Sequence, residues 1–270
     1  MSELPDWLWE RAAAARSRML MLDYDGTLAP FRVDREHAFL PRPLLALLGR
    51  LHESKTTGMA VVSGRPVAEL ARFLETVPVR LVGEHGWESR SPGMPIVQHP
   101  LSDASARALA WSSMVLCREP WVDRIEAKRT GLLLHTRGLP PGEAVRIETR
   151  CEKLWAPAIS EGLLRLKRVT SGIELRAIGR HKGLAVRELI AASPPGTLPI
   201  YIGDDETDED AFREVRETGI GLLVASESRP TLAIGRLGST SEVVAFLHEW
   251  YARVEGSRAA WSPQPRQGRT

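Results

Sequence analysis

Cysteine is scarce in this chain of 270 residues: Cys117 and Cys151 stand far apart and form no Cys-x-x-Cys pair. That usage fits a reducing compartment and carries no zinc signature, and both cysteines read as core residues. No apolar run approaches the ~18 residues of a membrane span, so no membrane partner is expected. The first residues, MSELPDWLWERAAAARSR, place acids and tryptophans where a secretory signal needs a basic start and an unbroken apolar stretch. The cytoplasm is therefore the expected location. A basic stripe is also missing. The 36 Lys and Arg are matched by 34 Asp and Glu, interspersed, which leaves a formal charge of +2 and removes nucleic acid as an expected partner. The eight tryptophans are scattered instead of forming a stacking ladder, and they read as packing residues, Trp7 and Trp9 among them.

What is present is an ordinary globular composition, 43% hydrophobic and 26% charged, in a chain long enough for one large domain or two unequal ones. The informative stretch is Met19 to Leu28, MLMLDYDGTL. Four apolar residues suit a strand buried on both faces of a parallel sheet, and Gly26 permits the turn that follows. Asp23 and Asp25 then fall where open α/β sheets bind ligands, two residues apart and facing one site. An Asp-Gly turn with no function is the competing reading, so the rest of the chain decides.

Residues 5–18 read as a short amphipathic helix and 29–40 as loop. The stretch 41–54, with Leu44, Leu47, Leu48 and Leu51 at helical spacing, reads as a helix. A strand at 58–62 ends in Ser63, Gly64 and Arg65, a helix covers 67–74, and a strand at 79–82 leads into Gly-Glu-His-Gly around His85. From about residue 99 the character changes. A helix at 102–117, two half-polar strands at 121–138, a helix at 142–156 and two more strands at 162–178 give an α-β-β-α-β-β order, which implies an antiparallel sheet with helices on one face. The parallel pattern returns with a helix opened by Lys182 and a buried strand, 198–203, that ends in GDDETD. A helix from 208, a strand at 219–225 and a helix at 242–254 close the core, and the Ser, Pro, Arg and Gln of 256–270 predict disorder. The fold class expected is α/β. Its Rossmann-like parallel core spans 1–98 and 179–255, with an inserted α+β cap over 99–178.

Three strands thus end in Asp-x-Asp, Ser and Gly-Asp-Asp. A cluster of carboxylates free of His and Cys points to Mg²⁺, which favours oxygen ligands and phosphate. A hydroxyl at Ser63 and a cation at Lys182 suit a bound phosphoryl group.

On DYDGT (23–27), Ser63 in VVSGR, Lys182 and GDDETD (203–208), the sequence resembles the haloacid dehalogenase superfamily. Within it, DYDGTLAP, VVSGRP, GEHG, IEAKRTGLLLHTR, GIELRAIGRHKGLAV and GDDETDEDAF resemble the trehalose-6-phosphate phosphatases, over residues 19–212. The resemblance implies Mg²⁺-dependent hydrolysis of a sugar phosphate through an aspartyl phosphate. Asp23 would be the nucleophile and Asp25 the acid and base. Asp23, the Asp25 carbonyl and Asp204 would hold the metal, with Asp205 and Asp208 as a further ligand or as orienters. Ser63, Gly64 and Lys182 would hold the phosphoryl group. Glu126, Lys128, His135 and Glu174 would meet the sugar, against the competing reading that the cap residues are a solvated sheet face; Arg65 and His85 join them as substrate candidates, Arg65 against pairing with a core carboxylate and His85 against a loop histidine with a structural hydrogen bond. Two positions depart from the family's wording: Thr136 stands where an aromatic is usual, and Ala177 follows Arg176 in place of proline. The substrate expected is trehalose 6-phosphate. The rivals are sucrose phosphate, glucosylglycerol phosphate or mannosyl-phosphoglycerate hydrolysis, sugar phosphomutase chemistry, or a catalytically silent regulatory domain. A monomer is expected, with a sugar phosphate as small-molecule partner and a trehalose-phosphate synthase as the protein partner the resemblance suggests.

Overall fold

Strands whose residues are all apolar need cover on both faces, and this requirement builds the centre of the molecule. In the computed structural model, which describes residues 4–32, 35–74, 76–169 and 171–255, α1 (Asp6–Ala14) leads into β1 (Arg18–Leu22). Then come α2 (Arg42–Glu53), β2 (Thr57–Val62), α3 (Val67–Phe73) and β3 (Arg80–Gly83), and after them the short strands β4 (Glu88–Arg90) and β5 (Val97–Gln98). The chain next leaves this sheet for α4 (Asp103–Met114), β6 (Ile125–Lys128), β7 (Gly131–His135), α5 (Pro141–Ser160), β8 (Leu164–Val169) and β9 (Gly172–Ala177). It returns through α6 (Lys182–Ala191), β10 (Leu198–Gly203), α7 (Glu209–Val215), β11 (Ile220–Val224), β12 (Gly235–Leu237) and α8 (Thr240–Trp250). The disorder expected for 256–270 lies outside the described residues.

The large sheet has the order β12-β11-β10-β1-β2-β3-β4-β5, parallel from β12 to β3 and antiparallel at β4 and β5. Successive residues of its central strands feed two different cores. Leu20, Leu22, Met59, Val61, Ile200 and Ile202 belong to one, and Met19, Met21, Ala60, Val62 and Tyr201 to the other. The first lies under α1, α2, α3 and α8, the second under α6 and α7. The strand order reverses at the β1–β10 junction, and a crevice at the carboxyl ends of strands at such a point is where open α/β sheets take their ligands.

The second sheet has the antiparallel order β6-β7-β9-β8. Its Leu132, Leu134, Ile173 and Leu175 pack with Leu109, Ile147, Cys151 and Trp155 of α4 and α5 in a core of their own. The register pairs Glu126 with Leu133, Leu133 with Glu174, and Glu174 with Lys167. The opposite face therefore presents polar side chains.

The structure adds elements that the hydrophobic pattern does not announce. The strands ESR, VQ and GRL of β4, β5 and β12 are too short and too polar to show a period. Helix α5 runs on through Pro157 to Ser160. Trp9 packs against Phe246 and Trp250 while Trp7 is 45% exposed, and Cys117 is exposed and so is not the core residue expected.

Candidate active site

The turn after β1 is shaped by Gly26. Its φ of +82° is costly for other residues, and a Cβ there would overlap the Asp204 carboxylate. The amide of Asp23 still bonds to Ile202 of β10 at 2.9 Å, which fixes the acid against the strand that delivers Asp204. Lys182 opens α6 behind its N-cap His181 and is 3% exposed. Its ammonium lies 2.8 Å from Asp23 Oδ1 and 2.7 Å from Asp208 Oδ1. Asp208, fully buried, also accepts from the Tyr201 hydroxyl at 2.5 Å and from the amides of Asp204 and Asp205 at 3.0 and 2.9 Å. It shapes the GDDETD turn and holds Lys182. Gly203 is needed beside it, since a Cβ there would run into the Asp208 side chain.

Burial raises the Asp23 carboxyl; Lys182 draws it back and Asp208 pushes it up again, to about 7. Burial, with Asp23 and Asp208 adding to it, holds the Asp204 carboxyl well above the usual range. Carboxylate oxygens of Asp23, Asp204 and Asp208 lie within 4.8 Å of one another, and Asp204 Oδ1 is buried with no hydrogen-bond partner. An oxygen-only donor set in which acids repel one another and one oxygen is orphaned fits a hard divalent cation.

Asp25 points elsewhere. Arg65, 1% exposed, grips it through both carboxylate oxygens, Nε to Oδ2 at 2.6 Å and Nη2 to Oδ1 at 2.7 Å. Its remaining nitrogen, Nη1, reaches Glu69 at 2.9 Å. Ser63 is buried and its Oγ accepts from the Arg65 amide at 3.2 Å. Gly64 leaves room for the His85 ring, whose Nε2 would be 2.6 Å from a Cβ at that position.

His85 and Glu84 both have positive φ, 56° and 46°, uncommon for side chains of this size. The turn is held by the Glu84 amide on Arg65 O and the His85 amide on Ser63 O, at 2.9 and 3.0 Å. From it His85 Nε2 faces Glu174 of β9 at 3.4 Å. Burial, then Arg176, keeps this imidazole neutral, down to about 3, against the opposing pull of Glu174. Glu174 also takes Lys128 at 2.8 Å and Arg176 at 3.3 Å. Burial would raise its carboxyl, and Lys128, His85 and Arg176 overcome that and hold it well below the usual range.

One cavity of about 100 Å³ unites Asp23, Asp25, Ser63, Gly64, Arg65, His85, Lys128, Glu174, Lys182, Asp204 and Asp205. Glu126 and His135 do not line it. They bond to each other at 2.8 Å and are each about a quarter exposed, at 27% and 28%. Its walls also include Phe31, Arg32, Leu133, Arg137, Val169 and Ser171. The two-residue step places Arg137 on the face of His135, and the same step on the other side of His135 marks Leu133. Phe31 and Arg32 sit in a run without period, where no sequence signal marks them. Arg137 stacks on the Phe31 ring at 4.8 Å and donates to Arg32 O at 3.3 Å, bridging the two sheets' units.

Buried carboxylates and a hydroxyl at three strand ends, with a lysine from the start of α6 and a second sheet closed over them, define a haloacid dehalogenase-type hydrolase core. The sequence matches the trehalose-phosphatase family over residues 21–237, and the chain belongs to that family of phosphoric monoester hydrolases. It is 29% identical over 264 residues to probable trehalose-phosphate phosphatase H of Arabidopsis thaliana, covering 86% of this chain and 72% of that one. It is 32% identical over 255 residues to a bifunctional trehalose-6-phosphate synthase/phosphatase of Thermoproteus tenax, covering 92% of this chain but 34% of that protein. The C-terminal domain of Candida albicans trehalose-6-phosphate phosphatase shares the fold at a TM-score of 0.80, with 22% identity, over 93% of this chain and 96% of that one.

Proposed function

We propose that this protein hydrolyses trehalose 6-phosphate to trehalose and phosphate, with a Mg²⁺ ion held by Asp23, Asp204 and the Asp25 carbonyl. The observation that carries the reading is the convergence of Asp23, Lys182, Ser63 and Asp204 on one cavity that Lys128 and Glu174 close from the other side. The named relatives supply the substrate class. The cation would neutralise charge between the acids and the phosphoryl oxygens.

Asp23 attacks phosphorus and forms an acyl phosphate as the P–O bond to the sugar breaks. Asp25, released from Arg65 on one oxygen and protonated there, gives that proton to the departing sugar oxygen, then takes one from the water that cleaves the acyl phosphate and restores Asp23. Lys182 and Ser63 hold phosphoryl oxygens, and Asp208 keeps Lys182 in place. Arg65 orients Asp25 through both of its oxygens, a geometry that lysine cannot copy. The unit spanning 99–178 acts as a cap. Small-molecule pockets run from roughly 300 Å³ upward, so the cavity of about 100 Å³ is that of a closed cap that must lift for a disaccharide phosphate to enter. Closure keeps bulk water from the acyl phosphate.

The test is phosphate release from a panel of trehalose 6-phosphate, sucrose phosphate, glucosylglycerol phosphate and mannosyl-phosphoglycerate. The highest kcat/KM is expected on trehalose 6-phosphate. Turnover of another ester with that substrate untouched would overturn the assignment, and an isomeric sugar phosphate in place of free phosphate would make the protein a mutase.

A further inference from the structure

A second cavity, about 280 Å³, shares no lining residue with the first. It opens between α6 and the β3-β4-β5 edge of the large sheet, where Val82 pairs with Ser89 and Ser89 with Val97. Its apolar wall is Val82, Ala185, Leu189 and Ala192; its polar side is Arg80, Ser89, Ser91, His99 and Arg180. Much of this polar equipment is unclaimed. Among the described residues the Arg80 guanidinium, half-buried at the start of β3, has no hydrogen bond or ion pair, and neither do the hydroxyls of Ser89 and Ser91. The one acid in the wall, Glu188, is taken by Arg180 at 2.5 Å. Two guanidiniums against one neutralised carboxylate leave a positive pocket with several donors.

Its position links it to the other unit. His99 lies where the chain leaves β5 for α4, and its backbone is tied to Trp87 and to Arg129 at the end of β6. Arg180 lies where the chain comes back from β9 to α6, and it donates to Gly86 O beside the His85 turn. Arg80, Ser89 and Ser91 belong to the core edge. A ligand that spans the cavity touches both connections and the core at once.

We propose that this cavity is a binding site for a small phosphorylated molecule that acts on the hinge of the cap. The phosphoryl group sits between Arg80 and Arg180 with the serine hydroxyls beneath it. The volume, close to the roughly 300 Å³ at which small-molecule pockets begin, and the apolar wall give room for an organic body beyond the phosphate. Occupancy braces the two connections against the core and alters how readily the cap lifts.

The test uses the full chain with p-nitrophenyl phosphate as substrate, so it stands even where the trehalose 6-phosphate assignment fails. Glucose 6-phosphate and inorganic phosphate are the probes. A ligand confined to the active site is competitive and leaves kcat unchanged; the hinge site adds a change in kcat. Calorimetry should show a second site per chain, weakened about ten-fold or more in Arg80→Gln, the worth of a hydrogen bond to a charged group. Ser89→Ala should weaken it by less. Both variants should keep the kcat measured without probe, and the probe's effect on kcat should vanish in Arg80→Gln. A kcat effect from inorganic phosphate alone identifies the phosphoryl group as the part recognised, and an effect from glucose 6-phosphate only shows that the apolar wall takes part. Purely competitive behaviour of both probes, or one binding site of equal affinity in wild type and Arg80→Gln, would overturn the proposal.

Discussion

His85 sits on the seam between the two units with Gly64 and Ser63 on one side and Glu174, Arg176 and Lys128 on the other. Held neutral down to about 3 in the fold and near 6.5 when unfolded, it makes the unfolded chain take up a proton that the folded one refuses. Above pH 6.5 this costs nothing. As pH falls from 6.5 toward 3 stability declines, by at most about 1.4 kcal/mol per pH unit. Glu174 acts in the same direction: its contribution is present above 4.5 and lost below it as the carboxyl protonates. Between pH 6.5 and 4.5 the raised carboxyls of Asp23 and Asp204 work in the opposite direction, so the His85 contribution is read as the difference between wild type and variant. In His85→Asn, which tolerates the positive φ, thermal melts should lose less stability than the wild type on acidification across that window, and an identical pH dependence in the two proteins would contradict the account. Arg65 makes a second residue-scale case. Arg65→Lys keeps a cation but loses the fork on Asp25, and it should lower kcat about 10²-fold on aryl and sugar phosphates alike, the order expected when a catalytic group is misplaced.

At the scale of elements, the strand ends explain what could be read without coordinates. MLML, GMAVV and LPIYIG are uninterrupted apolar runs and announce β1, β2 and β10, so the acids and serine that follow them are placed together once the sheet is parallel. The cap strands were legible by their alternation, but alternation gives a face and not a position along it. Lys128 and Glu174 fall within the cavity, whereas Glu126 and His135, on the same face, form a pair outside it. Arg65 shows the same limit: its place after Ser63 was visible, while its two bonds to Asp25 depend on a turn that Gly26 shapes from forty residues away. The division of labour between units predicts a kinetic split. Lys128→Ala should raise KM for trehalose 6-phosphate about ten-fold, the worth of a hydrogen bond from a charged group, and leave p-nitrophenyl phosphate turnover unchanged. Equal losses on both substrates would remove Lys128 from sugar recognition.

The whole molecule is two units joined by two connections, with the acid-lined cavity in the gap between them and a positive cavity beside those connections. Its parts assign separate tasks: the parallel sheet brings the carboxylates, Lys182 and Ser63 to one point, and the antiparallel sheet closes over them. No helix among the described residues is long and apolar enough to cross a membrane. The claim on which the rest depends is that Asp23 carries the phosphoryl group. Rapid acid quench of the protein with trehalose 6-phosphate, followed by mass spectrometry of its peptides, tests this directly. The account predicts a base-labile phosphate on the peptide containing Asp23, absent in Asp23→Asn, which should also lose turnover while keeping its fold. Turnover of the substrate with label on another residue, or an active Asp23→Asn, would contradict it.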